Sequence, residues 1–186
     1  MKLALTLLLT AATSTFAQAP ATPPAPTPEP PAAIANPVVW SSNEIYARQA
    51  RFILAAAEEM PADKYTFKPS ADQWTFAKIL SHVAASNGSV CGSLSDKPAP
   101  DATKVAETAP KADIVAAVKA SIDFCDAAMA SLTDAKLADP IPFRRNTLPR
   151  ARAIVEIVAD LEDHYSQLAA YLRANNLLPP SAAPKK

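Results

Sequence analysis

The sequence predicts an all-α domain built as a four-helix bundle, and two observations support this fold class. Only two glycines occur among 186 residues, whereas strands joined by tight turns favour residues that tolerate a positive φ. Four long segments also place apolar residues at the helical spacing of 3.6 residues per turn, which is typical of helices that bury one face. We therefore expect four helices and no β-sheet between residues 40 and 178.

The first two helices are predicted from their apolar spacing and from the residues that end them. The first covers about residues 42–59, with a serine at 41 or 42 as its cap, and it ends before Pro61 because the residue preceding proline avoids the α region. The second begins near residue 71 or 72 and continues to about residue 94. Its inward stripe is Leu80, Val83, Asn87, Cys91 and Leu94.

The last two helices follow a long connection. Residues 96–110 are rich in proline, alanine and aspartate, which favours a loop. The third helix is predicted over about residues 111–132 and the fourth over about residues 150–175, starting after Pro149. Because a long connection separates the second and third helices, we expect a bundle in which the chain crosses over between them.

The N-terminus has the features of a secretory signal peptide. Lys2 supplies a positive charge, residues 3–10 are apolar and rich in leucine, and small residues near position 18 offer a cleavage site. We expect residues 1–18 to be removed and the protein to be secreted or periplasmic. The apolar run is too short for a permanent anchor, so no membrane span is expected.

Composition divides the remaining chain into three parts. Residues 19–38 are rich in proline and alanine and are predicted to form an extended linker. Residues 179–186 are similar in character and are predicted to form a disordered tail. Residues 39–178 then remain as the folded domain, and about 140 residues are enough for one hydrophobic core.

The charges are balanced, with 18 basic and 18 acidic residues and no long run of one sign. Proteins that bind nucleic acid usually present a basic face, so we expect no nucleic-acid partner. One local basic cluster stands before and within the start of the fourth helix. It could receive an anionic ligand or could be an ordinary solvated loop, and it comprises Arg144, Arg145, Arg150 and Arg152.

Two cysteines, Cys91 and Cys125, are the only thiols of the chain. Each lies on the apolar stripe of its own helix, and a cysteine pair in an exported protein is usually oxidised. We therefore predict a disulfide between the second and third helices. The alternative is two buried free thiols that act as small apolar side chains.

Two histidines, His82 and His164, are also the only ones in the chain. Asp160 stands four positions before His164, so a helix would place both side chains on one side. If the second helix packs beside the fourth, two nitrogens and one oxygen converge, as in a divalent-metal site with an open position. The alternatives are a half-buried His82 bonded to a hydroxyl or carbonyl group and a solvated Asp160–His164 face.

Two segments of the chain share features with a known family. The first runs from Met60 to Val83 and includes Trp74-Thr75-Phe76-Ala77-Lys78-Ile79-Leu80-Ser81-His82, and the second runs from Asp163 to Ser181. Together they resemble the DinB/YfiT superfamily of small metalloproteins, over residues 40 to 181. The resemblance implies a four-helix bundle with an up-down-down-up course.

The resemblance also implies a metal site. In that family a histidine on the second helix and a His-x-x-x-His pair on the fourth bind a divalent metal, often zinc or nickel. His82 matches the first ligand and His164 the last, while Asp160 stands where the family usually has histidine. Aspartate can ligate zinc, so a His82, Asp160, His164 site is chemically reasonable. The metal site could equally have decayed, which would leave Asp160 to pair with His164.

Some members of the family that this chain resembles act as hydrolases or as transferases that add a small thiol to an electrophile. A metal would lower the pKa of a bound water or thiol, with Ser86, Glu162, Asp163 or Gln167 orienting the ligands. Because the usual thiol cofactors are cytoplasmic, hydrolysis of an unidentified small molecule suits an exported chain better. The alternative is a non-catalytic exported bundle with a degenerate metal site that binds a small ligand or partner. Dimers are frequent in the family, so a homodimer is compatible with the resemblance.

Overall fold

The computed structural model describes residues 33–184, and four long helices dominate that range. They are α1 (Pro37–Glu59), α2 (Phe76–Ser95), α3 (Lys111–Ala130) and α4 (Arg150–Ala174). The predicted all-α four-helix bundle is confirmed. The predicted signal peptide and most of the predicted linker lie outside the described residues.

Contacts between side chains establish the direction of each helix. On α1 and α4, Arg48 pairs with Glu162 at 3.0 Å and Phe52 stacks on Tyr165 with ring centroids 5.0 Å apart. Residue numbers increase together along this interface, so α1 and α4 run parallel.

Side-chain contacts also establish the direction of α2 relative to α3 and to α4. The Asn87 amide donates to Ser121 Oγ at 3.1 Å, and the next turns of α2 and α3 are joined by the cysteine pair, so these helices run parallel. The Tyr171 hydroxyl, near the end of α4, donates to the carbonyl of Trp74, just before α2. Arg150, at the start of α4, donates to the Leu94 carbonyl, near the end of α2. The α2–α4 pair is therefore antiparallel, and the up-down-down-up course is confirmed.

The predicted disulfide is present between Cys91 and Cys125, with Cα atoms 5.2 Å apart. Both residues are fully buried. The bond joins α2 to α3 and encloses the long connection between them.

The connection between α2 and α3 packs closely on α2 and explains one of the two glycines. Thr103, in the single-turn 3-10 helix Asp101–Thr103, is 1% exposed. A Cβ atom at Gly88 would lie 2.6 Å from Thr103 Oγ1, which is closer than van der Waals contact permits. Glycine at this position lets the connection lie directly on the helix.

The start of α1 was predicted about five residues too late. Its first turn is capped by Asp134, whose carboxylate accepts hydrogen bonds from the backbone N–H groups of Val38 and Val39 at 3.0 and 2.8 Å. A carboxylate at a helix N-terminus satisfies free N–H groups and complements the helix dipole. Because this cap comes from a distant part of the chain, local sequence could not show it.

A two-stranded antiparallel hairpin lies between α3 and α4, where the sequence indicated no sheet. Strand β1 (Pro140–Phe143) pairs with β2 (Asn146–Pro149), with Phe143 opposite Asn146. The prediction of no sheet is wrong at this point because Arg144, rather than a glycine, adopts the positive φ of 55° in the turn. The scarcity of glycine therefore did not exclude this hairpin.

The segment that follows α4 also departs from expectation where it is described. Composition favoured a disordered tail over residues 179–186, yet Pro180–Ala182 forms a turn of 3-10 helix. The backbone N–H of Ser181 donates to the Tyr165 hydroxyl at 2.7 Å, which fastens the segment to α4. Across residues 33–184, no helix combines the length and the apolar character needed to cross a bilayer.

Candidate metal centre

Three side chains from two helices meet at one point of the bundle. His164 Nε2 lies 3.5 Å from Asp160 Oδ1 on α4, and His82 Nε2 of α2 lies 3.9 Å from the same oxygen. One potential ligand atom from each residue lies within 4.8 Å of the other two. The three residues that the sequence singled out are therefore adjacent in the fold.

The helix geometry explains why these residues converge. Asp160 and His164 are one turn apart on α4, so both project to the same side. On α2, Cys91 is nine positions after His82, which amounts to two and a half turns. The cysteine side of α2 therefore faces α3, whereas the His82 side faces α4.

Burial differs sharply across the three residues. The side chain of His164 is 9% exposed and that of Asp160 is 18% exposed, whereas the side chain of His82 is 41% exposed. The solvated Asp160–His164 face that local spacing permitted is therefore not what the structure shows. The site is anchored inside the bundle and opens to solvent beside His82.

The polar atoms of this site fit a divalent cation. Among the described residues, Asp160 Oδ2 is buried without a hydrogen-bond partner, which is costly unless a cation or polar group satisfies it. Tetrahedral ligands about 2.1 Å from zinc lie roughly 3.4 Å from one another, compared with 3.5 and 3.9 Å for the two histidine–carboxylate pairs and at most 4.8 Å for the two histidines. Two imidazoles and a carboxylate suit zinc, and imidazole also suits nickel.

Asp163 and Gln167 lie beside the imidazole of His164 without a hydrogen bond to it. Asp163 Oδ2 lies 4.0 Å from His164 Nδ1 and accepts a hydrogen bond from Gln167 Nε2 at 2.9 Å. A ligating histidine usually has a carboxylate or carbonyl near its second ring nitrogen. Glu162, also named as a candidate from the sequence, instead pairs with Arg48 of α1.

Comparison with known proteins identifies the family. A family model described as the DinB superfamily matches residues 45–168, which is more than half of the chain. The chain belongs to the DinB superfamily. The resemblance noted in the sequence is therefore confirmed.

Structural comparison supports the same fold for this DinB-superfamily chain. The crystal structure of a DinB-like protein from Bacillus cereus ATCC 10987 matches with a TM-score of 0.59 and 14% sequence identity. The match covers 76% of this chain and 95% of that chain. No curated protein matches the sequence.

In this member of the superfamily, Asp160 and His164 form a mutually stabilising pair. Burial alone would raise the pKa of Asp160, but the adjacent His164, with smaller contributions from Ser86 and His82, lowers it below its usual value. Burial likewise disfavours the charged form of His164, but Asp160 and then Asp163 raise its pKa above the usual value. The pair therefore favours an ionised carboxylate beside a protonated imidazole.

His82 behaves in the opposite sense. Its pKa is lowered, first by burial and then by the charges of His164 and Arg144, although Asp160 acts against this shift. A neutral imidazole carries the free nitrogen lone pair that a metal requires. His82 is therefore the histidine that is more readily available as a ligand at neutral pH.

Two residues near this site, Trp74 and Glu156, were not assigned a role there from the sequence. The Trp74 ring lies 5.1 Å from the His82 ring and 6.3 Å from the His164 ring, measured between centroids. Glu156, one turn before Asp160, accepts ion pairs from Arg144 and Arg152, each at 2.6 Å. The sequence signal for Glu156 was its spacing. Residues 156, 160 and 164 are all polar and four positions apart, so a helix places their side chains on one side.

The basic cluster seen in the sequence separates into two groups in the structure. Arg150 is buried, where it donates to the Leu94 carbonyl and to Asp96 and so holds the end of α2. Arg144 and Arg152 instead pair with Glu156 near the candidate site. Only the second group can influence chemistry at the site.

We expect the Asp160–His164 pair to stabilise the metal-free protein in a defined pH window. Asp160 contributes fully above its ordinary pKa of 3.8 and loses this contribution as pH falls through its lowered folded value. His164 contributes fully below its ordinary pKa of 6.5 and loses this contribution as pH rises through its raised folded value. The combined contribution is therefore largest between these two ordinary values.

The measurement is urea unfolding of the wild type and Asp160→Asn with a chelator present, at pH 5.5 and pH 8.5. The loss of unfolding free energy caused by the substitution should be larger at pH 5.5, because His164 is charged there. An equal loss at both pH values would show that the two side chains are not coupled.

Proposed function

We propose that this protein is an exported metal-dependent enzyme with hydrolase-type chemistry at a zinc or nickel site formed by His82, Asp160 and His164. The observation that carries this proposal is the convergence of the three potential ligand atoms within 4.8 Å of one another. Three protein ligands and an open side are the arrangement of catalytic rather than structural zinc sites.

Each protein residue has a distinct part in this proposal. A divalent metal at such a site supplies a Lewis acid that polarises oxygen atoms and lowers the pKa of water. Asp160 and His164 would provide a buried pair of ligands, and Asp163 lies 4.0 Å from the second ring nitrogen of His164. His82 closes the site on its exposed side, where a substrate would enter.

The choice of hydrolysis over thiol transfer rests on the proposed export of the chain. Residues 1–18 carry the pattern of a signal peptide, and the Cys91–Cys125 disulfide suits an oxidising compartment. Small thiol cofactors are kept mainly in the cytoplasm, whereas water is available as a nucleophile everywhere. The substrate is an unidentified small molecule.

A non-catalytic exported bundle is the second candidate. It is favoured by the aspartate at position 160, where the family resemblance implies histidine, and by its direct approach to His164 at 3.5 Å. In that case the carboxylate would neutralise the imidazole, and the site would bind a small ligand or partner without a metal.

Metal analysis distinguishes the two candidates. We expect one zinc or nickel ion per chain in protein purified without chelator, and loss of that ion in His164→Ala, because one of three ligands is removed. Glu162→Gln is the matched control, since Glu162 lies on the same helix but pairs with Arg48 on the surface. Inductively coupled plasma mass spectrometry gives the stoichiometry.

The same preparations test for catalysis. Hydrolysis of p-nitrophenyl acetate and p-nitrophenyl phosphate should be measured before and after a chelator and after zinc or nickel is restored. Metal-dependent turnover that is absent from His164→Ala would support the enzyme. Wild-type protein without bound metal, and unable to acquire it, would leave the non-catalytic bundle as the function.

A further inference from the structure

We propose that Arg144 is a specificity-determining residue that binds an anionic group of the substrate at the rim of the metal centre. The substrate would then carry a carboxylate or phosphate group next to the bond that is broken. This inference rests on the proposed function and adds the chemical class of the substrate.

The hairpin places Arg144 beside the candidate ligands. The Arg144 guanidinium contacts Glu156 Oε1 at 2.6 Å, and Glu156 is one helical turn, or about 6 Å along the axis, from Asp160. The guanidinium also lies 5.7 Å from the centre of the Phe143 ring, which is buried. Two contacts therefore hold this cation about one helical turn from Asp160.

The backbone at Arg144 is a second and independent observation. Its φ of 55° lies in the left-handed region, where glycine is preferred because a Cβ atom adds strain. Residues held in such conformations cluster at binding and catalytic sites. Glycine would adopt this conformation with less strain, and the contacts with Glu156 and Phe143 keep the arginine in place at this turn.

The ion-pair group of Arg144, Arg152 and Glu156 carries an excess positive charge. Glu156 is shared by Arg144 and Arg152, so three side chains carry a net charge of +1. The Arg144 side chain is 64% exposed, which leaves guanidinium N–H groups free to receive an incoming oxyanion. Arginine binds carboxylate and phosphate groups through paired hydrogen bonds.

Trp74 supplies an apolar wall on the His82 side of the same site. It is 41% exposed and lies edge to face with His82 at 5.1 Å between ring centroids. An exposed tryptophan beside charged groups is typical of sites that bind a ligand with an apolar body. Benzoate, which joins an aromatic ring to a carboxylate, is therefore a suitable probe.

The experiment is a calorimetric titration of benzoate into wild-type protein, Arg144→Gly and Arg145→Ala, each loaded with zinc. We expect the dissociation constant of benzoate to rise about tenfold or more in Arg144→Gly, because a charge-assisted contact is lost. Arg145→Ala removes the neighbouring exposed charge of the same turn and should change the constant by less than about twofold. Benzamide, the neutral counterpart, should bind the wild type and Arg144→Gly equally.

Two further readouts exclude a merely structural effect. Arg144→Gly should have a melting temperature close to that of the wild type, because relief of the left-handed strain offsets the loss of the contacts with Glu156 and Phe143. Its zinc affinity, measured by chelator competition at pH 7.5, should be equal to or higher than that of the wild type, because Arg144 is not a ligand and the loss of a nearby positive charge does not weaken the binding of a cation. Equal benzoate binding by Arg144→Gly and the wild type, or no benzoate binding by the wild type, would overturn the role of Arg144.

Failure of the proposed metal-dependent function can be distinguished from failure of the proposed role of Arg144. If the wild type binds no zinc, the metal proposal fails, and the same benzoate titration on metal-free protein still decides the role of Arg144. A loss of benzoate binding in Arg144→Gly would then support an anion site without a metal. Equal binding would reject the anion site as well.

Discussion

Replacing Cys91 and Cys125 together by alanine is expected to lower the free energy of unfolding by about 4 kcal/mol. The two residues are 34 positions apart, and a cross-link over a loop of this length removes about that much conformational freedom from the unfolded chain. Domains of this size are usually stable by only about 5–15 kcal/mol. The double variant should therefore be close to the limit of stable folding.

Urea unfolding of the oxidised wild type and of the double variant measures the difference. The matched control is the wild type unfolded with a reductant, which breaks the bond without changing any side chain other than the two cysteines. Reduced wild type and double variant should unfold at similar urea concentrations. A difference below about 1 kcal/mol between oxidised and reduced protein would contradict the loop-entropy account.

The burial of the disulfide leads to a second expectation, which concerns the rate at which it is reduced. Both cysteines are fully buried, and thiol–disulfide exchange requires access of a thiolate to sulfur. Reduction of the native protein should therefore be slow and should accelerate once urea unfolds the bundle. Alkylation followed by mass spectrometry gives the rate.

The helices were predictable because their signals are local. Ile114, Val118 and Met129 recur at helical spacing along α3 and are all buried, so neighbouring residues alone indicated the inward face. The cysteine pair followed from the same stripes. Helix starts were less predictable, because the cap of α1 is Asp134, almost one hundred residues away.

The hairpin was missed for a different physical reason. Turn prediction depends on glycine or asparagine at positions of positive φ, and Arg144 takes that conformation instead. Its strain is tolerated because Glu156 and the Phe143 ring hold the side chain. A residue kept in place by tertiary contacts leaves no signal in the local sequence.

The three potential metal ligands were predictable from the sequence, whereas the neighbouring Arg144–Glu156 pair was not. The spacing of Asp160 and His164 is local, and the family resemblance supplied His82 from another helix. The positions of Arg144 and Glu156 depend on how the hairpin folds back onto α4, which the sequence did not show. For this reason the sequence analysis placed the arginines around position 150 in one cluster. In the structure, Arg150 instead binds the Leu94 carbonyl near the end of α2.

Asp160 distinguishes this site from the three-histidine arrangement that the family resemblance implies, and its replacement should have the largest effect on metal affinity. Asp160→Ala is expected to weaken zinc binding by at least about a hundredfold, since even residues that only orient ligands contribute tenfold to hundredfold. Asp160→His should retain tight binding, because it supplies a nitrogen ligand at the same helical position. Competition with a chromophoric chelator at pH 7.5 gives the constants.

Asp160→Asn separates the charge of the carboxylate from its shape. The amide has the same size, but its neutral oxygen is a weaker ligand for zinc, so its affinity should fall between those of the wild type and Asp160→Ala. Circular dichroism of each variant with chelator present checks that the bundle is intact. If Asp160→Ala bound zinc as tightly as the wild type, the carboxylate would not be a ligand. Asp160 would then act only through its pairing with His164.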